Sequence, residues 1–125
     1  MVASIMQSLE EQQLVYEVFV LHKRESFDAL YLRYASVINK FISYRVSNVV
    51  DADDLTANVF WRVWEYGARN KGKEIKNFRA LLYKIARNEI ANFYRVQGRI
   101  PQVVELDDPE EYLEIADAQE DVLKK

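Results

Sequence analysis

Four stretches of this chain repeat apolar residues every three or four positions, the spacing that lines one face of an α-helix. Ser8-Leu9-Glu10-Glu11 has capping-box spacing, and Leu14, Val15, Val18 and Phe19 follow, which predicts a first helix from about Ser8 to His22. After the polar turn His22 to Glu25, the residues Phe27, Leu30, Tyr31, Tyr34, Ile38, Phe41 and Ile42 extend the pattern over about five turns. The opposite face carries Arg33, Ser36, Asn39, Lys40 and Ser43 and is expected to meet water. Ser47, Asn48 and Asp51 interrupt the pattern, and Asp51 with Asp54 can cap a third helix from about Ala52 to Tyr66 that buries Leu55, Val59, Phe60, Val63 and Trp64. Asn77 and Gly98 bracket a fourth, about 20 residues and roughly 30 Å long, with Phe78, Leu81, Leu82, Ile85 and Phe93 on its apolar side.

The expected fold is therefore all-α, a compact bundle of four main helices. Two of the helices also carry an outward pattern of their own. On the third, Asp54, Ala57, Asn58, Trp61 and Glu65 fall on the side away from the core, so a large indole sits among polar neighbours, as anchors of protein interfaces do. On the fourth, Lys84, Arg87, Asn88, Ala91 and Arg95 form a row of cations and one amide narrow enough to lie along a nucleic-acid strand. Between them, Gly67 to Lys76 reads as a basic loop whose glycines let backbone N–H groups approach a phosphate or a base. The Walker spacing is missing from it.

Charge sharpens this picture. Residues 1–99 hold 15 Lys and Arg against 11 Asp and Glu, hence +4, whereas residues 100–125 hold 2 against 9, hence −7. The segment from Arg69 to Arg99 contains nine basic residues and two acidic ones. The formal net charge of −3 thus conceals a basic domain, residues 1–99, and an acidic tail, residues 100–125. Asp108-Pro109-Glu110-Glu111 could start an acidic helix from Pro109 to Leu123, although the scarcity of apolar residues favours a linker that orders only against a partner.

Several chemistries are excluded. With no cysteine there is no disulfide, thiolate metal site or cysteine nucleophile, which suits a reducing compartment. Neither a spanning helix nor a signal peptide is legible, so a cytoplasmic protein without membrane contact is expected. The one histidine, His22, falls in the last turn of the first helix, where the dipole favours an imidazole more than any ligand role does. Asp51, Asp53 and Asp54 lie at a helix start, where capping accounts for them without a metal. No nucleophile, base and orienting group occur together, so binding is expected, not catalysis, with no cofactor and no metal.

Four blocks of the sequence resemble a known family. Ser26-Phe27-Asp28-Ala29-Leu30-Tyr31 with Arg33-Tyr34, Asp51-Ala52-Asp53-Asp54-Leu55-Thr56, Val59-Phe60 with Arg62 and Trp64, and Phe78-Arg79-Ala80 with Leu82-Tyr83-Lys84-Ile85-Ala86-Arg87-Asn88 occur in the order and spacing of region 2 of bacterial sigma factors of the extracytoplasmic-function group. The resemblance implies that the third helix binds the clamp helices of the largest RNA polymerase subunit through Asp54, Ala57, Asn58 and Trp61. It implies further that the loop and the fourth helix recognise and melt the minus-ten promoter element, holding the non-template strand as single-stranded DNA. Lys71, Lys73, Lys76, Lys84, Arg87, Asn88, Arg95 and Arg99 would serve that DNA contact. An anti-sigma factor is an implied further partner.

Three departures from the family pattern change what is expected. Ala57-Asn58 stands where Gln-Glu is usual, which alters the polymerase face. Leu81 stands where a tryptophan is common, leaving Tyr83 and Tyr94 as the nearby aromatics. The domain that reads the minus-thirty-five element is not in this sequence, so a piece of a longer factor is expected, ending in the acidic linker toward that domain. The alternatives are a sigma-like regulatory module that binds polymerase or an anti-sigma protein without DNA recognition, and a helix-turn-helix repressor of duplex DNA. The ten-residue basic loop argues against the second.

Overall fold

The computed structural model describes residues 2–72 and 75–98, and within them every regular element is an α-helix. The helices are α1 (Val2–Phe19), α2 (Arg24–Ser43), α3 (Val49–Arg69) and α4 (Phe78–Val96). Consecutive helices pack on each other, α2 also packs against α4, and α1 touches α3, so one core is shared by all four. The expected acidic helix from Pro109 to Leu123 lies outside the described residues.

The core is the periodic set. Val18, Phe19, Leu30, Ile38, Ile42, Val59, Val63 and Leu82 are fully buried. Phe19 is the meeting point, edge-on to Tyr66 of α3 at 6.2 Å and to Phe78 of α4 at 6.1 Å, and Phe78 in turn meets Tyr34 of α2 at 5.5 Å. Edge-to-face pairs of this kind add about 0.5–1.5 kcal/mol each beyond the area they bury. Tyr31, placed by its spacing on the core side, is half open and makes a T-shaped contact with Phe60, ring centres 4.9 Å apart.

The helix ends differ from the sequence expectation in five places, one of them the start of α2, where Arg24 and Glu25, expected in the turn, already belong to the helix. α1 begins at Val2, so Ser8 lies inside it and caps nothing. What extends it is lateral support from α2, where Arg33 lies 3.8 Å from Glu10 and 3.9 Å from Glu11, and the Tyr34 hydroxyl donates to the Glu11 carboxylate at 2.8 Å. α1 also ends earlier, at Phe19, which leaves His22 outside it in the left-handed region at φ 55°. There the chain reverses: the Lys23 N–H reaches the Glu17 carbonyl at 3.0 Å, and the imidazole stacks on Trp64 with ring centres 3.7 Å apart. The role of His22 is that of a corner stacked on α3.

α3 starts three residues before Ala52, because Asn48 supplies the cap. Its side chain accepts from the N–H groups of Val50 at 2.7 Å and Asp51 at 3.2 Å, and Asp51 contributes only its charge to the first turn. At the other end α3 continues to Arg69, so Gly67 belongs to the helix and not to the loop. A Cβ at Gly67 would lie 3.3 Å from the Phe19 ring, and this close approach is what the missing side chain permits. α4 matches its expected bounds: the Asn77 side chain accepts from Ala80 N–H at 2.9 Å, and Gly98 follows the last turn at φ 77°.

Candidate functional site

The outward side of α3 stands clear of the bundle. Asp54, Ala57, Asn58 and Trp61 are all exposed, Trp61 to 58%, while Leu55, Val59, Phe60 and Val63 on the same helix are buried. Periodicity alone dictates this split, since an i, i+3, i+4, i+7 stripe away from the core cannot reach it. Trp64, three residues further, has the opposite fate. It lies between the His22 imidazole and the Phe27 ring, whose centre is 5.0 Å away.

The row expected on α4 is partly as read. Arg87 and Arg95 are exposed, Lys84 and Asn88 are half-buried, and Arg95 lies 3.5 Å from the Asn92 side chain. Ala91 is buried at 3% exposure, so it belongs to the packed side of the helix and offers no surface. Helical spacing put it beside Arg87 and Arg95, but the methyl group is short enough to be covered by the flank of α4's neighbours. Leu81 is buried as well. The two aromatics considered as its substitutes are engaged by the protein: Tyr83 lies edge-on to Phe41 of α2 at 4.9 Å, and the Tyr94 hydroxyl donates to the Arg45 carbonyl.

The loop between α3 and α4 presents Lys71 and Lys76 to solvent. Lys73 and Arg99 lie outside the described residues. Neither glycine supplies a backbone donor for a ligand in the expected way. Gly67 is helical, and the Gly72 N–H, at φ 85°, is taken by the Phe19 carbonyl at 3.1 Å. That bond pins the start of the loop to the end of α1.

One pair missed by periodicity joins the two surfaces. Arg62, next to Trp61, donates from Nε to the Glu89 carboxylate at 3.1 Å, and Glu89, next to Asn88, is buried to 8% exposure. No local pattern links residues 27 apart in sequence; only the packing of α3 on α4 brings them together. Asn39 was likewise expected to meet water. It is half-buried and donates to Asp53 at 3.0 Å and to Thr56 at 3.1 Å, tying α2 to the first turns of α3.

Among the described residues no group of carboxylates and histidine could hold a metal ion, and no helix is long and apolar enough to cross a membrane. A family model described as sigma-70 region 2 matches residues 30–100. No curated protein and no solved structure matches the chain.

Proposed function

The chain belongs to the sigma-70 region 2 family, which acts in transcription initiation and is not an enzyme family, and on that premise we propose that it is the core-binding and promoter-melting domain of an extracytoplasmic-function sigma factor. Domains of this family bind core RNA polymerase and promoter DNA. In the proposed assignment, residues 1–99 form the working domain and residues 100–125 a linker toward a second DNA-reading domain. The polymerase clamp helices dock on Asp54, Ala57, Asn58 and Trp61. The non-template strand of the minus-ten element lies on Lys84, Arg87, Asn88 and Arg95, assisted by Lys71, Lys73, Lys76 and Arg99. The protein works in the cytoplasm, where an anti-sigma factor would compete for the same surfaces.

The observation that carries this reading is the exposure of Trp61 on a helix whose other side is wholly packed. An indole open to 58% on a rigid, capped helix gains little for the fold, yet it supplies the large, low-entropy contact on which interface hot spots depend. The second support is charge. The only acid of α4, Glu89, is turned inward onto Arg62, so the exposed residues of that helix include Arg79, Arg87 and Arg95 and no carboxylate. A cationic, pre-folded helix face suits a strand whose unpaired bases have been drawn out of the duplex at a cost of a few kcal/mol.

The test is to titrate the chain with a purified clamp coiled coil and with short single-stranded oligonucleotides bearing candidate minus-ten sequences. Binding to both is expected. With about five phosphates neutralised, log K for the single strand should fall with log salt at a slope of roughly −3.5. Binding to the coiled coil with a slope near zero for DNA would replace this reading by the regulatory module without DNA recognition.

A further inference from the structure

The first half of α1 has its faces reversed. Its polar contacts are made toward α2: an Arg33 N–H reaches the Gln7 carbonyl at 3.5 Å, Arg33 lies beside Glu10 and Glu11, and further along the Ser26 hydroxyl donates to Glu17. About half a turn around the helix lie Val2, Ile5, Met6, Leu9 and Tyr16, spaced i, i+3, i+4, i+7 and i+14 and so within about 100° of one another. They keep from 50% (Tyr16) to 71% (Val2) of their surface in solvent, and among the described residues no other helix covers them. A helix that met only water on that side would carry its charges there, whereas α1 turns them to α2.

Side chains of this size leave on the order of 100 Å² each in water, a strip of about 500 Å², toward the upper end of what a monomer leaves open in one patch. The strip is also free of charge. Val2 to Leu9 contains no Asp, Glu, Lys or Arg, and α1 has no cation along its length. These facts decide among occupants. A helix that lies on a membrane carries Lys or Arg beside its apolar face, and nucleic acid also needs cations, so neither is matched. Residues 100–125 would bring nine carboxylates to a helix whose only charges are Glu10, Glu11 and Glu17. A second copy of α1 presents the matching uncharged surface, and covering both strips would remove about 1,000 Å² from water, the lower bound for a specific interface.

We propose that the chain forms a two-fold dimer in which the α1 strips of two copies pack on each other, with Leu9, at the middle of the strip, meeting its own counterpart. Val2, Leu9 and Tyr16 recur every seven residues with Ile5 and Met6 between the first two, the seam by which paired helices interlock. Gln12 and Gln13 occupy the corresponding places between Leu9 and Tyr16, which weakens the pair without charging it. The strip shares no residue with the exposed stripe of α3 or the row on α4, so the inference does not depend on the proposed function.

The test is sedimentation equilibrium of the full chain from about 1 to about 500 μM, since an interface of this size should give a Kd on the order of 10–100 μM. The mass should rise with concentration from 14.8 kDa toward twice that value. Leu9→Lys sets two ammonium groups against each other and should raise Kd more than about tenfold, while its urea midpoint at about 1 μM stays at the parent value because Leu9 is exposed in the single copy. Leu32→Lys, at an equally open leucine on α2, should dimerise as the parent does. Leu9→Cys places the sole thiol of the chain at the seam, and a short bismaleimide should join it to its copy. A parent that stays monomeric at the highest concentration overturns the proposal, as does an unchanged Kd in Leu9→Lys. A monomeric parent whose Leu9→Lys variant unfolds at lower urea would show the strip covered within one chain, by the acidic stretch, and not by a second copy. Association that disperses at about 0.5 M salt would be charge pairing between that stretch and the basic helices, and would equally overturn it.

Discussion

The two tryptophans of α3 allow the division between fold and interface to be measured in one protein. Replacing a packed tryptophan with alanine costs about 3–5 kcal/mol. Trp64, held between His22 at 3.7 Å and Phe27 at 5.0 Å, should fall near the lower end of that range, at about 3 kcal/mol. Trp61 keeps 58% of its surface in solvent, so less than half of such a loss applies, and alanine returns about 0.5 kcal/mol of helix propensity; the net should be about 1 kcal/mol. Each single variant leaves the other tryptophan as the sole indole, so urea unfolding followed by its fluorescence reports both values. On the clamp coiled coil the order should reverse, with Trp61→Ala losing more than 1 kcal/mol of binding, over fivefold in Kd. Equal destabilisation by the two variants would refute the packing argument. Undiminished affinity of Trp61→Ala for the coiled coil would refute the interface.

Three further outcomes follow from the geometry. Asn48→Ala should destabilise the protein by about 1 kcal/mol in urea unfolding, because it removes the acceptor of two α3 amides, whereas Asp51→Asn, which removes charge and no cap, should cost under about 1 kcal/mol. Glu17 has its carboxyl held below the ordinary glutamate range, chiefly because the Ser26 hydroxyl and then the Gln13 amide donate to the ionised form. A depressed carboxyl stabilises the fold above its unfolded-state pKa and loses that contribution as pH falls through its folded value, so the stability gap between the parent and Ser26→Ala should narrow on acidification; a gap that widens in acid would contradict the assignment. Gly67→Leu should destabilise strongly, by more than 2 kcal/mol, since even a Cβ there lies 3.3 Å from a fully buried Phe19 ring; a variant melting at the parent temperature would show that α1 yields at that point.

The number of helices and their inner faces were legible because spacing alone dictates which residues can share a core. Leu55, Val59, Phe60 and Val63 and the exposed stripe opposite them follow from one period. The boundaries were less so, since several residues near a helix start compete for the capping role and tertiary support decides between them. Asn48 won over Asp51 because its amide reaches two free N–H groups, and α1 ran past Ser8 because Arg33 and Tyr34 hold its side. Long-range pairs were invisible: Arg62 with Glu89, Tyr94 with Arg45 and Gly72 with Phe19 are set by how helices cross, which no local pattern encodes. Contacts within a turn are closer to the pattern: Phe41 with Arg45 and Arg79 with Tyr83 are arginine–aromatic pairs each four residues apart.

The family span opens at residue 30, within α2, whereas the interior does not. Val15, Val18 and Phe19 come from α1, yet Phe19 is 1% exposed and touches Tyr66, Phe78 and the backbone at Gly67, and its carbonyl receives the Gly72 amide. A fragment cut to the recognised span would thus open a hole facing α3, α4 and the base of the basic loop all at once. The unit that evolution makes recognisable and the unit that folds are not the same length here. Residues outside the recognised span set the position of the loop within it.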